Sequence, residues 1–206
     1  MVIWLDFDGT ILNVKKRYVS VYQKICNDIK IKPMEPNQYW ECLCNGLSTK
    51  NILGNDCPED IYAKFIQLRT TLIEAPDFLA MDNMRDGAFT TIKKLKAIGI
   101  ILILLTGRDN RKNLLNQLSK LELKDNFHQI YNASPYGGWQ AKAYVLKQFA
   151  QKEDMIFGDT PSDILAGIHS SIRTCALHGG MSTDSRLRKA NPNFEATKFE
   201  QILSFV

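Results

Sequence analysis

Short apolar runs alternate with longer amphipathic stretches along most of the 206-residue chain. The apolar runs have the length of strands, and spacings such as that of Ile92 and Leu95 are typical of helices. This alternation predicts an α/β fold with a parallel sheet, because strands covered by helices on both faces are apolar throughout. The predicted strands are residues 2–7, 100–105, 128–132, 155–157 and 172–177, and the predicted helices between or after them are 87–98, 110–121, 140–151, 161–169 and 197–205.

The interval 14–84 breaks the alternation, because it contains no convincing strand. We therefore expect an all-helical domain over 14–84, inserted into an α/β domain formed by residues 1–13 and 85–206. The polar segment 179–193 is expected to be rich in loops. Within the insertion, the pattern predicts helices at 16–31, 37–44 and 59–74 and a loop at 45–50.

Composition and charge exclude several classes of protein. Lys and Arg total 26 against 22 Asp and Glu, and a net charge of +4 without a basic stripe argues against binding to a nucleic acid polymer. The longest apolar run, residues 100–105, is too short to span a membrane, and no signal peptide is recognisable. The five cysteines lack paired CxxC spacing, so a reducing, cytoplasmic location is expected.

The first predicted strand leads into Asp6-Phe7-Asp8-Gly9-Thr10. Residues two apart in an extended segment point to the same side, so Asp6 and Asp8 can face one site. The alternative is a strand followed by an ordinary Asp-Gly turn. Two adjacent carboxylates repel each other unless a proton or a cation intervenes, and hard oxygen ligands favour Mg²⁺.

A second acidic group follows the strand at 155–157, in Gly158-Asp159-Thr160-Pro161-Ser162-Asp163. Asp159 is expected at the same sheet edge as Asp6 and Asp8, because carboxyl ends of parallel strands lie together. Asp163 falls in the first turn of a predicted helix that Thr160 could cap, so its alternative role is helix stabilisation. Four carboxylates at one edge would require a cation.

Two further segments offer groups that could bind an anion. Thr106 and Gly107 follow the strand at 100–105 and could present a hydroxyl and free N–H groups, although a Thr N-cap with a Gly turn is the alternative. Arg108 could grip a phosphate with two N–H groups or form an exposed salt bridge. Lys142, near the start of the helix at 140–151, is the best-placed cation to offset the carboxylates, although single lysines are usually solvated.

Taken in order, these segments resemble the four motifs of the haloacid dehalogenase superfamily of phosphohydrolases. Asp6 to Thr10 match its first motif, Thr106 its second, Lys142 its third and Gly158 to Asp163 its fourth. The resemblance spans residues 1 to about 180. It implies a three-layer Rossmann-like core in which the helical insertion is the cap domain, as in phosphoglycolate phosphatase-like members.

The resemblance also implies a mechanism. Asp6 would attack phosphorus to form an aspartyl-phosphate, and Asp8 would act as general acid and then as general base. Mg²⁺ would be held by Asp6, the Asp8 carbonyl and Asp159, and Asp163 would be a further ligand or would orient one. Thr106, Gly107 and Lys142 would bind the phosphoryl oxygens.

Asp8 favours phosphoryl transfer over carbon–halogen cleavage, because dehalogenation needs no acid two residues after the nucleophile. The expected enzyme is a phosphatase acting on a small phosphorylated metabolite, and the expected assembly is a monomer or a homodimer. A phosphomutase and a catalytically silent binding or regulatory protein remain alternatives. Lys50 or the run from Lys15 to Arg17 could bind an anionic substrate group, although solvated surface positions are the simpler interpretation.

Overall fold

A computed structural model describes residues 1–133 and 137–206. They form two compact units, one comprising Met1–Asn13 and Asn83–Val206 and the other Val14–Asp82. The strands of the described residues are β1 (Val2–Leu5), β2 (Leu12–Asn13), β3 (Asn83–Met84), β4 (Ile101–Thr106), β5 (Gln129–Asn132), β6 (Met155–Gly158), β7 (Arg173–Leu177) and β8 (Phe194–Ala196).

The first unit is an α/β fold built on a six-stranded parallel sheet. The strand order is β5-β4-β1-β6-β7-β8, so β1 lies between β4 and β6. Trp4, Leu104 and Phe157 in these strands are fully buried, as expected for a sheet covered on both faces. Because all six strands run in the same direction, their carboxyl ends share one edge, where open parallel sheets bind ligands.

The five predicted strands are confirmed to within two residues at each end, whereas β8 was not predicted. This strand has three residues and lies at the edge of the sheet beside β7, so its pattern is too short to be recognised from sequence. The expectation that 179–193 is mostly loop is wrong for the helix at Asp184–Lys189. The helices are α1 (Lys15–Asp28), α2 (Pro36–Cys44), α3 (Thr49–Leu53), α4 (Glu59–Leu72), α5 (Pro76–Leu79), α6 (Ala88–Ala97), α7 (Arg111–Lys120), α8 (Gly138–Phe149), α9 (Pro161–His169) and α10 (Asp184–Lys189), with 3₁₀ turns at Lys124–Asn126 and Phe199–Ser204.

The second unit is helical, from α1 to α5, and has its own core. Tyr22 of α1 stacks on Tyr39 of α2 with ring centroids 3.9 Å apart, and Phe65 of α4 is buried against them. The predicted loop at 45–50 contains the start of α3, where Ser48 accepts a hydrogen bond from the Asn51 N–H and caps the helix. None of the helices in the described residues is long and apolar enough to cross a membrane.

The junctions between the units differ from the predicted domain limits. The interval 14–84 was expected to contain no strand, but Asn83 and Met84 form β3, which pairs antiparallel with β2. The α/β unit therefore resumes at Asn83 instead of residue 85. That the helical unit is a cap domain stays a prediction.

An ion pair buried in the helical unit joins its first helix to its last residue. The Arg17 Nε lies 3.1 Å from the Asp82 Oδ1, both side chains are fully buried, and the Arg17 Nη1 donates to the Ile73 carbonyl at 3.0 Å. Arg17 is therefore not the solvated or substrate-facing residue that the basic run 15–17 suggested. Its neighbour Lys16 is exposed.

Replacing Asp82 with Ala removes the carboxylate that faces this buried guanidinium and should lower the free energy of unfolding by about 3–5 kcal/mol. Arg17→Met combined with Asp82→Leu should recover much of that loss, because both charges are then gone. Lys16→Met is the control and should change stability by less than about 0.5 kcal/mol in the same urea titration. A similarly small effect of Asp82→Ala would contradict this account of the pair.

Candidate active site

The first group of the site follows β1. The Asp6 N–H donates to the Phe157 carbonyl at 3.1 Å, which extends the pairing with β6 to the first acidic residue. The chain then turns at Gly9, whose φ is +87° and favours glycine. A Cβ at Gly9 would lie 2.1 Å from the Asp159 Oδ2, so the turn also requires glycine because Asp159 packs directly against it.

The end of β6 brings two more carboxylates to Asp6. Asp159 follows β6 directly, and Asp163 lies in the first turn of α9. One carboxylate oxygen from each of Asp6, Asp159 and Asp163 lies within 4.8 Å of the other two, and all three residues are buried. Side chains separated by about 150 positions in sequence therefore converge at the carboxyl edge of the sheet.

Asp163 serves the helix and the cluster together. Its Oδ2 accepts hydrogen bonds from the Thr160 N–H at 3.0 Å and the Thr160 hydroxyl at 2.7 Å, which closes the first turn of α9. Its Oδ1 contacts the Lys142 Nζ at 2.5 Å. Asp163 therefore stabilises the start of α9 and also belongs to the charged cluster.

Lys142 is the cation of the cluster. It lies in α8, is 7% exposed, and its Nζ donates to the Asp6 Oδ1 at 2.6 Å as well as to Asp163. Burial opposes the charged form, but Asp163 and Asp6 outweigh it and raise the pKa of this lysine above its ordinary value. Lys142 is thus a buried ammonium ion and not a solvated lysine.

One ammonium does not balance three carboxylates. Burial, followed by repulsion from Asp163, raises the pKa of Asp159 from 3.8 to about 7. The pKa of Asp6 is also raised well above its usual value, chiefly by burial, although Lys142 opposes the shift. The cluster therefore carries an excess of negative charge that a bound cation would relieve.

Several groups around Asp159 were not singled out from the sequence. The Thr10 hydroxyl donates to the Asp159 Oδ1 at 2.6 Å, and the Met181 N–H donates to its Oδ2 at 2.6 Å. Gly180 approaches so closely that a Cβ would lie 2.2 Å from the Asp159 Oδ2. Arg85 connects the loop after β1 with the loop after β7, because it donates to the carbonyls of Gly9 at 2.7 Å and His178 at 2.6 Å. Thr10 stands in the first motif and could have been found there.

Thr106 is the last residue of β4, at the same sheet edge, and is 1% exposed. It does not cap the next helix, because α7 begins at Arg111 and the Asn110 side chain caps it by accepting from the Asn113 N–H at 3.0 Å. Gly107 consequently lies in a loop and not at a helix start. The Thr106 hydroxyl oxygen accepts a hydrogen bond from the Arg108 N–H at 3.3 Å.

Arg108 binds Asp8. Its Nε donates to the Asp8 Oδ2 at 2.7 Å and its Nη2 to the Asp8 Oδ1 at 2.6 Å, which is a two-point contact. The Arg108 side chain is 3% exposed, so the alternative of an exposed salt bridge is wrong. Its two-point grip is made on a carboxylate of the protein.

Lys50 lies in α3 of the helical unit, and its side chain is half exposed. Its Nζ is 3.4 Å from the Glu59 Oε2 and 5.8 Å from the centroid of the Tyr62 ring. Exposed pairs of this kind contribute little to stability. The assignment of Lys50 to substrate binding stays a prediction.

The family of the chain follows from a match over most of its length. The family model described as haloacid dehalogenase-like hydrolase matches residues 2–177, a range that includes every residue of the cluster. The chain belongs to the haloacid dehalogenase-like hydrolase family. A comparison with curated proteins gave no match.

Solved structures share the fold of this haloacid dehalogenase-like hydrolase. A haloacid dehalogenase-like family protein from Streptococcus pneumoniae has a TM-score of 0.84 at 18% identity, covering 99% of this chain and 97% of that one. A predicted phosphoglycolate phosphatase from Haemophilus somnus has a TM-score of 0.79 at 17% identity, and the match covers 99% of this chain and 96% of that one. A HAD family hydrolase from Deinococcus radiodurans, described with bound phosphate and sodium, has a TM-score of 0.72 at 16% identity, and the match covers 98% of this chain and 92% of that one.

The buried oxygens of the hydrolase fit a divalent metal ion, which this family generally uses. Asp6, Asp159 and Asp163 each supply a carboxylate oxygen, the ligand type that hard cations prefer. Burial and repulsion between carboxylates raise the pKa values of Asp6 and Asp159, and a bound cation would favour their charged forms. These three residues could therefore hold the metal.

Asp159→Asn should change the pH dependence of stability in the metal-free protein. Because the pKa of Asp159 is raised from 3.8 to about 7 in the folded state, its contribution is fully present at low pH and is lost as pH rises through about 7. In EDTA the variant should melt higher than the parent at pH 8 and at a similar temperature at pH 4, with Asp125→Asn, an exposed position, as the control. Magnesium chloride should raise the melting temperature of the parent more than that of the variant. Identical pH profiles of parent and variant would contradict the raised pKa.

Proposed function

We propose that the chain is a Mg²⁺-dependent phosphatase that hydrolyses a small phosphorylated metabolite through an aspartyl-phosphate at Asp6. The observation that carries the proposal is the contact of Asp6 with Lys142 inside a cluster that also contains Asp159 and Asp163. A carboxylate so placed can face a phosphoryl group whose negative charge the lysine and a metal ion offset. The description of a similar structure as a predicted phosphoglycolate phosphatase supports the same class of reaction.

In the first step, an Asp6 carboxylate oxygen attacks phosphorus. A bond forms between that oxygen and phosphorus, the ester bond breaks, and its electron pair leaves with the substrate oxygen, which takes a proton from Asp8. In the second step, water attacks the aspartyl-phosphate, Asp8 accepts the proton of the water, and Asp6 departs as a carboxylate. The two acidic residues therefore have different parts in the reaction, Asp6 as nucleophile and Asp8 as acid and then base.

Groups at the ends of β4 and in α8 would hold the phosphoryl oxygens. Thr106 offers a hydroxyl, Gly107 an N–H in a loop, and Lys142 an ammonium ion that already contacts the nucleophile. Fixed donors that meet the charge as it moves to these oxygens stabilise the transition state. Mg²⁺, held by Asp6, Asp159, Asp163 and the Asp8 carbonyl, would supply further charge stabilisation at the phosphoryl group.

Net charge and cysteine state support the proposed substrate class and location. A small metabolite is favoured over a nucleic acid polymer because the net charge is only +4. A cytoplasmic location is supported by five cysteines that are all free thiols. The proposed helical cap, with Lys50 as a candidate contact, would select among metabolites.

The proposal predicts Mg²⁺-dependent phosphate release in a screen of small phosphorylated compounds, with release abolished by EDTA. Asp6→Asn should reduce release by roughly 10³- to 10⁶-fold, because it removes the nucleophile, whereas Asp125→Asn should not. The parent, quenched in acid during turnover, should carry a phosphoryl group on the peptide that contains Asp6.

Four outcomes would contradict the proposal. Release that persists in EDTA would exclude the metal, and unchanged release by Asp6→Asn would exclude the nucleophile. A product that retains phosphate at another position would identify a phosphomutase. If the parent releases no phosphate from any compound of the screen, the binding or regulatory alternative holds.

A further inference from the structure

Arg108 contacts Asp8 from the protein interior. The Arg108 side chain is 3% exposed and the Asp8 side chain 16%, so the part of this pair that meets solvent belongs to the carboxylate. Both Asp8 oxygens accept an N–H from the guanidinium, and this two-point contact opposes rotation of the carboxylate.

The guanidinium is itself held by residues outside the reacting groups. The Arg108 Nη2 also donates to the Gln117 Oε1 at 3.1 Å, and Gln117 is a buried residue of α7. The guanidinium carbon lies 5.4 Å from the centroid of the buried Phe7 ring. Asp8 occupies the edge of the guanidinium formed by Nε and Nη2, and Gln117 accepts from Nη2 as well, so a two-point grip on a substrate phosphate would break at least one of these contacts. The contacts therefore favour a fixed arginine.

We propose that Arg108 is a positioning residue that fixes the direction of the Asp8 carboxylate for proton transfer to the leaving oxygen, and that it is not a ligand of the phosphoryl group. The inference rests on the proposed function, since it assigns Arg108 a part in the same reaction. A misplacement of about 1 Å in a reacting group can cost on the order of 100-fold in rate. Lys at position 108 would keep the charge but lose the fork that sets this direction.

The role of Arg108 can be tested with two esters of similar size whose leaving groups differ. Benzyl phosphate releases a strongly basic alkoxide that must be protonated, whereas p-nitrophenyl phosphate releases a stable phenolate that needs no proton. Arg108→Lys should lower kcat/KM about 10- to 100-fold for benzyl phosphate and much less for p-nitrophenyl phosphate. Inhibition by inorganic phosphate should be unchanged, because Arg108 does not bind the phosphoryl group.

Two further variants support the comparison. Gln117→Met removes the acceptor that holds the guanidinium, so it should show the same selective loss with a smaller amplitude. Lys112→Met, at an exposed position in the same helix, should leave both esters unaffected. If Arg108→Lys does not fold, as judged by its thermal melt, the Gln117→Met comparison decides between selective and uniform loss.

Equal losses for the two esters, or no loss, would overturn this inference, and a parallel weakening of inhibition by inorganic phosphate would identify Arg108 as a phosphoryl ligand. In both cases the parent still hydrolyses the esters, so the proposed function stands. If the parent cleaves neither ester, the comparison is made on two compounds of the phosphate-release screen whose leaving groups differ in basicity, and a parent that releases phosphate from no compound would overturn the proposed function and this inference together.

Discussion

The site depends on one buried contact, in which the Lys142 ammonium lies between the carboxylates of Asp6 and Asp163. Carboxylates that are removed from water repel each other strongly, and the fold can bring them together only where a cation lies among them. Lys142, a residue of α8, therefore connects the end of β1 with the first turn of α9. Asp159, the third carboxylate, is stabilised by Thr10 and by the Met181 N–H. These neutral donors leave a negative excess, which a bound cation would relieve.

The two acidic residues that follow β1 have opposite surroundings, although they are two positions apart. Asp6 faces Lys142 and two other carboxylates, and burial raises its pKa. Asp8 faces Arg108, which contacts both of its oxygens. The strand end determines that both residues reach the same edge of the sheet, but different neighbouring elements supply their partners. The two residues therefore have different partners, Lys142 with two carboxylates for Asp6 and a guanidinium for Asp8.

The sequence was sufficient for the parts of the site that depend on local periodicity. Apolar runs locate the strands, and in a parallel sheet the residues after each strand share an edge, so the proximity of Asp6 and Asp159 could be predicted. The partner of Arg108 could not, because it depends on how a loop of three residues between β4 and the Asn110 cap directs one long side chain. The approach of Gly180 to Asp159 was also beyond prediction, since only the packed loops bring it there.

The buried Arg17 shows why a run of basic residues is a weak indicator of function. Its guanidinium contacts Asp82, the last residue of the helical unit. In the α/β unit, β2 and β3 pair the segments that immediately precede and follow the insertion. The ends of the insertion are therefore held together within each unit. An insertion whose ends are already adjacent adds little loop-closure entropy to the domain that receives it. The loop after β1 can thus accommodate a helical unit while Gly9 keeps the tight turn that places Asp6 beside Asp159.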